Sequence, residues 1–191
     1  ANLVDSRDWA PERIREGNLM GLKTAFVEII LPPLYEDIKL LTLKIMEPGE
    51  RVVVKRNGKW GIAVADGKGT WLWEPEFDDI GYPNVITSVR KGEKWGVIDL
   101  SIKKYIIPPE CNHIDDHDGF MFVNGIGFYD KNDLTGIIME DGTHTEAVFE
   151  DVDFDPEDPV RVKYQGKWGY INANNELTEE KDEAYYRPAD Y

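Results

Sequence analysis

Short runs of β-branched and aromatic residues alternate with glycine-containing turns along most of the chain, which is a pattern typical of antiparallel strands. The clearest example pairs an apolar run at residues 51–56 with another at 59–65. Between them stand Asn57 and Gly58, and Asn-Gly favours a type I′ turn because both of its central residues need positive φ. The stretch therefore predicts a β-hairpin.

A third strand is predicted to follow this hairpin. A turn at residues 66–67 leads into an aromatic run at 70–73, and Pro75 should end that run because proline has no backbone N–H to give to a sheet. Trp71 and Trp73 alternate along the run, so they should share one face of the strand.

The hairpin and its third strand form a unit that recurs about five times. The position of Trp60 returns at intervals of 33 to 40 residues, and its occupants are Met20, Trp60, Trp95, Thr135 and Trp168. Such an interval is typical of propellers, solenoids and related arrays. A glycine follows each occupant, which would let a neighbouring backbone lie close over the strand. The three tryptophans are expected to anchor the core.

The fourth copy offers two candidates for the tryptophan position, Ile126 and Thr135. Thr135 is preferred because an Asp-Gly turn begins six residues later, as it does after Trp60. Residues 124–134 would then be a hairpin insertion that follows a strand at 120–123.

Short helices are predicted at both ends of the chain. At the N-terminus, Ser6 or Asp8 could cap a turn that contains Pro11. At the C-terminus, Thr178 precedes several acidic residues, which favours a helix start. The predicted fold is a single all-β repeat domain spanning residues 1–191, with helical caps at 1–14 and 176–191 and antiparallel repeats at 15–175. A closed propeller or barrel and an open solenoid remain alternatives.

The recurring Lys-Trp-Gly signature resembles the WG (KWG) β-repeat family of bacteria. It stands at residues 57–61, 92–96 and 166–169, and Pro-Pro pairs at 32–33 and 108–109 precede two of the unit ends. The resemblance covers about residues 15–175. It implies a repeat-built β architecture and implies no catalytic activity.

Composition narrows the functional classes. The chain has 37 acidic and 22 basic residues and a net charge of −15, so a nucleic-acid binder is not expected, because phosphate contacts need clustered Lys and Arg. No apolar run approaches the roughly 20 residues of a membrane helix. The chain starts at Ala1 rather than Met, so a bacterial cytoplasmic location and export with removal of a signal both stay open.

Two clusters contain residue types that bind metals, and the pattern of neither favours a metal site. The acidic stretch at 151–158 lacks the glycine and the final glutamate of a calcium loop, because Pro156 and Val162 take those places. His113 and His117 stand among aspartates in a segment that is more typical of a solvated turn. No nucleophile, phosphate-loop or dinucleotide motif is present, and the lone Cys111 has no basic neighbour. We predict no catalytic residue, metal or cofactor.

The leading hypothesis is a non-catalytic module that binds a protein partner through an acidic surface at Asp153, Asp155 and Glu157, and a basic partner would match the charge of that surface. An inhibitor or immunity protein of a basic toxin is one form of it. The alternative is a module that binds carbohydrate or the cell envelope through aromatic side chains. Its candidate residues are Trp71, Trp73, Tyr82 and Tyr105.

Overall fold

The structure is a computed structural model of the 191-residue chain. It describes residues 11–24, 28–40, 49–115, 121–155, 159–171 and 176–179. These residues contain eighteen β-strands and no helix, so none of them belongs to a helix of the length and apolarity that a membrane crossing requires.

The first of two compact units comprises Ala1–Glu110 and Asp118–Met121 and contains three antiparallel sheets. The first sheet consists of β1 (Glu12–Glu16), β2 (Leu19–Lys23) and β3 (Ile29–Tyr35). The second consists of β4 (Asp37–Lys39), β5 (Arg51–Arg56), β6 (Lys59–Val64) and β7 (Trp71–Phe77). The third consists of β8 (Asp79–Ile80), β9 (Ile86–Lys91), β10 (Lys94–Asp99) and β11 (Lys104–Cys111).

The second unit comprises Cys111–His117 and Phe122–Tyr191 and contains two antiparallel sheets. One consists of β12 (His113–Ile114), β13 (Ile126–Lys131) and β14 (Leu134–Met139). The other consists of β15 (Asp151–Asp153), β16 (Val160–Tyr164), β17 (Lys167–Ile171) and β18 (Leu177–Glu179). The all-β prediction with five antiparallel groups is confirmed.

The central hairpin forms as its turn residues predict. Arg56 pairs with Lys59, and between them Asn57 (φ 53°) and Gly58 (φ 75°) adopt the left-handed conformation of a type I′ turn. The short strand that closes one repeat pairs with the first hairpin strand of the next, so β4 joins β5 and β8 joins β9. Each closing segment therefore ties two consecutive sheets together.

The sheet β4–β7 lies between two core clusters of the first unit. Val52, Val54 and Ala63 point to one side and pack with buried side chains of the first sheet. Val53 and Ile62 point to the other side and pack with buried side chains of the third sheet. Burial of both faces explains why the hairpin is apolar at consecutive positions instead of alternating.

The signature tryptophans are partly buried. Trp60 packs against the cluster that contains Ile62, and the ammonium of its cross-strand partner Lys55 lies 5.7 Å from the indole centroid. Trp168 has the guanidinium of Arg161 at 4.3 Å from its centroid. Trp60 is thus a core anchor with a cation over its ring.

The glycine after the signature position lets the backbone of the third strand lie close to the hairpin. At Gly21, Gly61 and Gly96 a Cβ would lie only 2.4 to 2.8 Å from a carbonyl oxygen of that strand. The three oxygens belong to Leu31, Trp73 and Ile107. These three residues therefore occupy equivalent positions in consecutive sheets.

Both predicted helical caps are wrong wherever the structure describes their residues. Residues 12–16 form strand β1, and residues 177–179 form strand β18, which pairs with β17. The hydroxyl of Thr178 donates to the carbonyl oxygen of Tyr170 at 3.2 Å rather than capping a helix. An open strand edge outcompetes the local capping pattern here. The remaining cap residues, 1–10 and 180–191, lie outside the described residues.

Two further expectations fail for identifiable reasons. Strand β7 continues through Pro75, because β7 is the edge of its sheet and a missing N–H there removes no ladder bond.

Residues 126–131 are the first hairpin strand of the fourth copy and not an insertion. Their turn uses Asn132 (φ 53°) and Asp133 (φ 63°), and it contains no glycine to announce it. The preference for Thr135 is confirmed, since it pairs across its hairpin as Trp60 does.

Candidate functional site

A β-bulge separates the two tryptophans of β7. Ile62 of β6 pairs with Trp73, and the next residue, Ala63, pairs with Trp71, so one step along β6 matches two along β7. Because neighbouring residues of β6 point to opposite faces, the indoles do as well. Trp71 packs with the cluster on the side of the first sheet, and Trp73 with the cluster on the side of the third. The prediction of a shared face is wrong.

Trp71 belongs to a contact that the next copy repeats. Its ring meets Tyr35 edge-on, with centroids 5.8 Å apart and planes at 86°. Tyr105 meets Phe77 in the same way, at 6.2 Å and 88°. Trp71 and Tyr105 stand two residues before the equivalent residues Trp73 and Ile107, so they occupy one position of the repeat. That position joins adjacent sheets.

Trp73 is the residue that sets the second copy apart, because its equivalents are the aliphatic Leu31 and Ile107. Its indole N–H donates to Oε2 of Glu76 at 2.8 Å. Oε1 of Glu76 accepts from the Tyr105 hydroxyl at 3.0 Å and from the Lys91 ammonium. We call these four residues, Trp73, Glu76, Lys91 and Tyr105, the Glu76 cluster.

The Glu76 cluster holds its carboxylate in the ionised form. Partial burial alone would raise the pKa of Glu76, but the hydrogen bonds from Lys91, Trp73 and Tyr105 together lower that pKa below its ordinary value. Burial, together with the hydrogen bond to this carboxylate, raises the pKa of the Tyr105 hydroxyl. A carboxylate that accepts three donors is a poor proton donor and a poor base, so the cluster is suited to positioning side chains.

We expect Glu76→Gln to destabilise the protein by about 1 kcal/mol at neutral pH, since the variant loses charge-assisted bonds at a partly exposed site. The folded-state pKa of Glu76 is lowered, so the stabilisation is present above the unfolded value of about 4.3 and is lost as the pH falls through the folded value. The difference in Tm between the two proteins should therefore shrink below about pH 4.

The matched control for this change is Glu93→Gln. Glu93 is exposed at the β9–β10 turn and makes no described hydrogen bond or ion pair. Thermal unfolding followed by circular dichroism from pH 3 to 7 measures both variants. A Tm difference for Glu76→Gln that stays constant over this range would contradict the assignment.

Other carboxylates accept hydrogen bonds from backbone N–H groups at equivalent positions of several repeats. One polar residue at the closing end of a unit accepts from a turn N–H in the hairpin of the next unit. The acceptor and donor pairs are Glu36 with Gly58, Asp78 with Gly92, Asn112 with Asn132, and Glu150 with Gly166. Hydrogen bonds from Lys59 and from the Gly92 N–H lower the pKa of Asp78. Acidic residues that recur with the repeat are therefore part of the scaffold.

The remaining predicted site residues are dispersed. Asp153 in β15 is paired with Arg161 in β16 and is partly buried. Asp155 follows β15 and is also partly buried, and Tyr82 stands between β8 and β9 with part of its surface exposed. All three make contacts with other residues. Glu157 lies outside the described residues.

The net charge is divided unequally between the two units. The first carries 18 acidic and 16 basic residues, a net charge of −2. The second carries 19 acidic and only 6 basic residues, a net charge of −13. Among its carboxylates Asp133, Glu140 and Glu146 are exposed, and none of them has an ion pair within the described residues. The acidic surface predicted from the sequence, at Asp153, Asp155 and Glu157, belongs to this second unit.

A shallow groove of about 320 Å³ lies beside the β5–β6 turn of the first unit. Its lining residues are Arg56, Asn57, Lys59, Trp71, Glu74 and Pro75. Of these, only Trp71 was a sequence candidate. The sequence alone could not predict that these polar residues line one groove, because that requires the register between β6 and β7.

The histidine and cysteine candidates acquire structural roles. Nε2 of His113, which belongs to β12, lies 3.2 Å from Oδ1 of Asp115 at the protein surface, and His117 lies outside the described residues. Cys111 is a buried thiol outside any disulfide, and it takes the place of Phe77 in the next sheet. Within the described residues no three side chains of His, Cys, Asp or Glu are grouped to hold a metal ion.

No family model matches the sequence. No curated protein matches it either. The chain is similar to solved structures of Hsv2 from Kluyveromyces lactis, one at 13% identity with a TM-score of 0.41, covering 90% of this chain and 60% of that chain. Another, in which loop 6CD is replaced by a Gly-Ser linker, shows 12% identity and a TM-score of 0.39, with 83% and 57% covered. The chain thus spans about 60% of the length of the structures that it matches.

Proposed function

We propose that this chain is a non-catalytic binding module that docks a basic protein partner on its second unit. The observation that carries the proposal is the concentration of negative charge in that unit, which contains 19 acidic and 6 basic residues. A field of one sign attracts an oppositely charged protein and speeds its association.

The placement of the carboxylates supports a docking role for some of them and a scaffold role for others. Glu150 of the second unit accepts from the Gly166 N–H, and the hydroxyl and N–H of Thr143 both donate to Asp141. These groups are engaged by the fold. Asp133, Glu140 and Glu146 project without an ion pair in the described part of the chain, so a partner's cations could reach them.

The non-catalytic part of the proposal draws support from the Glu76 cluster. This partly buried carboxylate, with its aromatic neighbours, most resembles the surroundings of a catalytic acid, and three donors hold it ionised. A general acid needs the reverse, a carboxyl group whose pKa is raised. An inhibitor or immunity role against a basic toxin is a specific form of this function.

The test is quantitative affinity purification from the source organism with two triple variants of equal charge change. Asp133→Asn, Glu140→Gln and Glu146→Gln remove three charges from the second unit. Glu28→Gln, Glu50→Gln and Glu93→Gln remove three exposed charges from the first unit. We expect one basic protein to be retained by the wild type and by the first-unit variant and to be lost with the second-unit variant, because charge pairs at an interface determine its retention.

A purified pair then gives the affinity as a function of salt. The dissociation constant should rise with ionic strength, and it should rise less steeply for the second-unit variant. Equal loss of the partner with both triple variants would contradict docking on the second unit.

We also infer that the chain is a WG-type repeat protein. This inference is supported by the contact between the signature glycine and the third strand, which Gly21, Gly61 and Gly96 share. The carbohydrate alternative is supported more narrowly. Trp73 and Tyr105 are engaged with Glu76, and Trp71 is the aromatic candidate that lines a groove.

A further inference from the structure

The groove beside the β5–β6 turn contains the cation of Arg56, which has no counter-ion among the described residues. In the third sheet, Lys91 stands just before the hairpin turn and donates to Glu76 of the preceding sheet. Arg56 holds the same place in the second sheet, opposite Lys59. Three residues beyond Leu31, the equivalent of Trp73, the residue that corresponds to Glu76 is Leu34. The position that supplies a carboxylate to Lys91 is therefore occupied by an apolar residue in the copy next to Arg56.

The structure leaves Arg56 available to a ligand. Its side chain is exposed, and the guanidinium makes no hydrogen bond or ion pair within the described residues. Glu74 at the groove is likewise exposed and without such a bond in the described part of the chain. Its equivalents in the first and third sheets are Pro32 and Pro108, so the two neighbouring sheets have no polar side chain at this position.

The other walls add an apolar face and further donors. Trp71 meets Tyr35 in a T-shaped contact, is only partly buried and also lines the groove, so part of its indole is available to a ligand. Asn57 at the turn has an amide that both donates and accepts. Lys59 lines the groove as well, although its ammonium is already bound to Asp78 at 2.6 Å.

We propose that this groove binds a uronic-acid residue of an acidic oligosaccharide. The C–H face of the pyranose ring would lie on Trp71, since aromatic rings supply rigid apolar area. The guanidinium of Arg56 would bind the carboxylate through two parallel hydrogen bonds. Glu74 and Asn57 would bind the ring hydroxyls. The first unit is nearly neutral, at −2, so an anionic ligand is not repelled as it would be by the second.

The site is independent of the proposed docking of a basic protein, because it lies in the first unit and takes a ligand of the opposite charge. Failure of either proposal leaves the other unchanged. The choice of a carboxylated sugar rests on the combination of an exposed guanidinium, which has no ion pair in the described part of the chain, with an indole and two groups that bind hydroxyls.

Isothermal titration of the full chain with trigalacturonic acid tests the proposal, and its methyl ester serves as the uncharged twin. We expect the acid to bind at least about tenfold more tightly than the ester, because a hydrogen-bonded charge contributes at least that factor. Arg56→Gln should weaken binding of the acid by about tenfold or more, for the same reason.

Arg51→Gln is the matched control, since Arg51 is an exposed arginine at the other end of β5. It should change the affinity by less than about twofold, as expected for a residue outside the contact. The proposal is overturned if the acid fails to bind, if the ester binds equally well, or if both arginine variants weaken binding equally. It is also overturned if a tetraglutamate peptide binds as tightly as the acid, because the groove would then recognise acidic peptides.

Discussion

Replacing Gly61 with alanine is expected to destabilise the protein by about 3 kcal/mol, at the upper end of the range for overpacking a buried site. The new Cβ would lie 2.7 Å from the Trp73 carbonyl oxygen and 2.8 Å from the Pro75 nitrogen. Both are backbone atoms of β7, so no side-chain rotation relieves the clash. The strand itself would have to move away from β6.

Gly58→Ala separates this steric effect from the conformational freedom of glycine. Gly58 has a positive φ of 75° and nothing within 4 Å of the position of a Cβ. Alanine there should cost about 1 kcal/mol, from the left-handed conformation alone. Urea unfolding followed by circular dichroism measures both variants. A loss for Gly61→Ala no larger than that for Gly58→Ala would show that the third strand does not depend on the close approach.

The hairpins could be read from the sequence because their information is local. Asn57 and Gly58 specify a turn by their own conformational preferences, and the recurrence of Trp60 at fixed intervals located the other hairpins. The hairpin with Asn132 and Asp133 was missed because its two left-handed residues are not glycine. A turn is therefore predictable from the sequence where its residues have a strong conformational preference of their own.

The arrangement of the third strands could not be read in the same way. Alternation along residues 70–73 places Trp71 and Trp73 on one face, and only the register against Ile62 and Ala63 reveals the bulge that separates them. That register depends on Gly61, which lies ten residues earlier in the chain than Trp71. Long-range pairing thus overrode the local period.

The candidate sites illustrate the same limit. Trp73 is a candidate from the sequence, but Lys91 and Tyr105, which bind the same carboxylate, come from the neighbouring sheet, and no local pattern connects them with Glu76. The available charge of Arg56 is visible only after the sheets are aligned and Leu34 is found where Glu76 should be. A repeat protein marks its special positions by departures from its own scaffold, and the scaffold must be known before a departure can be recognised.

The largest loss of stability is expected for Phe77→Ala, at about 4 kcal/mol. Phe77 is completely buried, and its ring contacts both Trp73, at 5.7 Å, and Tyr105, at 6.2 Å. Removing the ring leaves a cavity under the Glu76 cluster, so the two aromatic donors to that carboxylate lose their support. Urea unfolding gives the free energy, and tryptophan fluorescence of the folded variant should shift to longer wavelength as Trp73 meets water.

Phe154→Ala provides the comparison, because Phe154 is partly buried and contacts Phe128 at 5.2 Å in the other unit. Its loss should be about 2 kcal/mol, since less surface leaves water and the site can collapse more easily. If the two variants lose equal stability, the contacts of Phe77 with Trp73 and Tyr105 stabilise the protein no more than the contact between Phe154 and Phe128 does. In that case Trp73 and Tyr105 would be held by Glu76 alone, and Glu76→Gln rather than Phe77→Ala should shift the fluorescence.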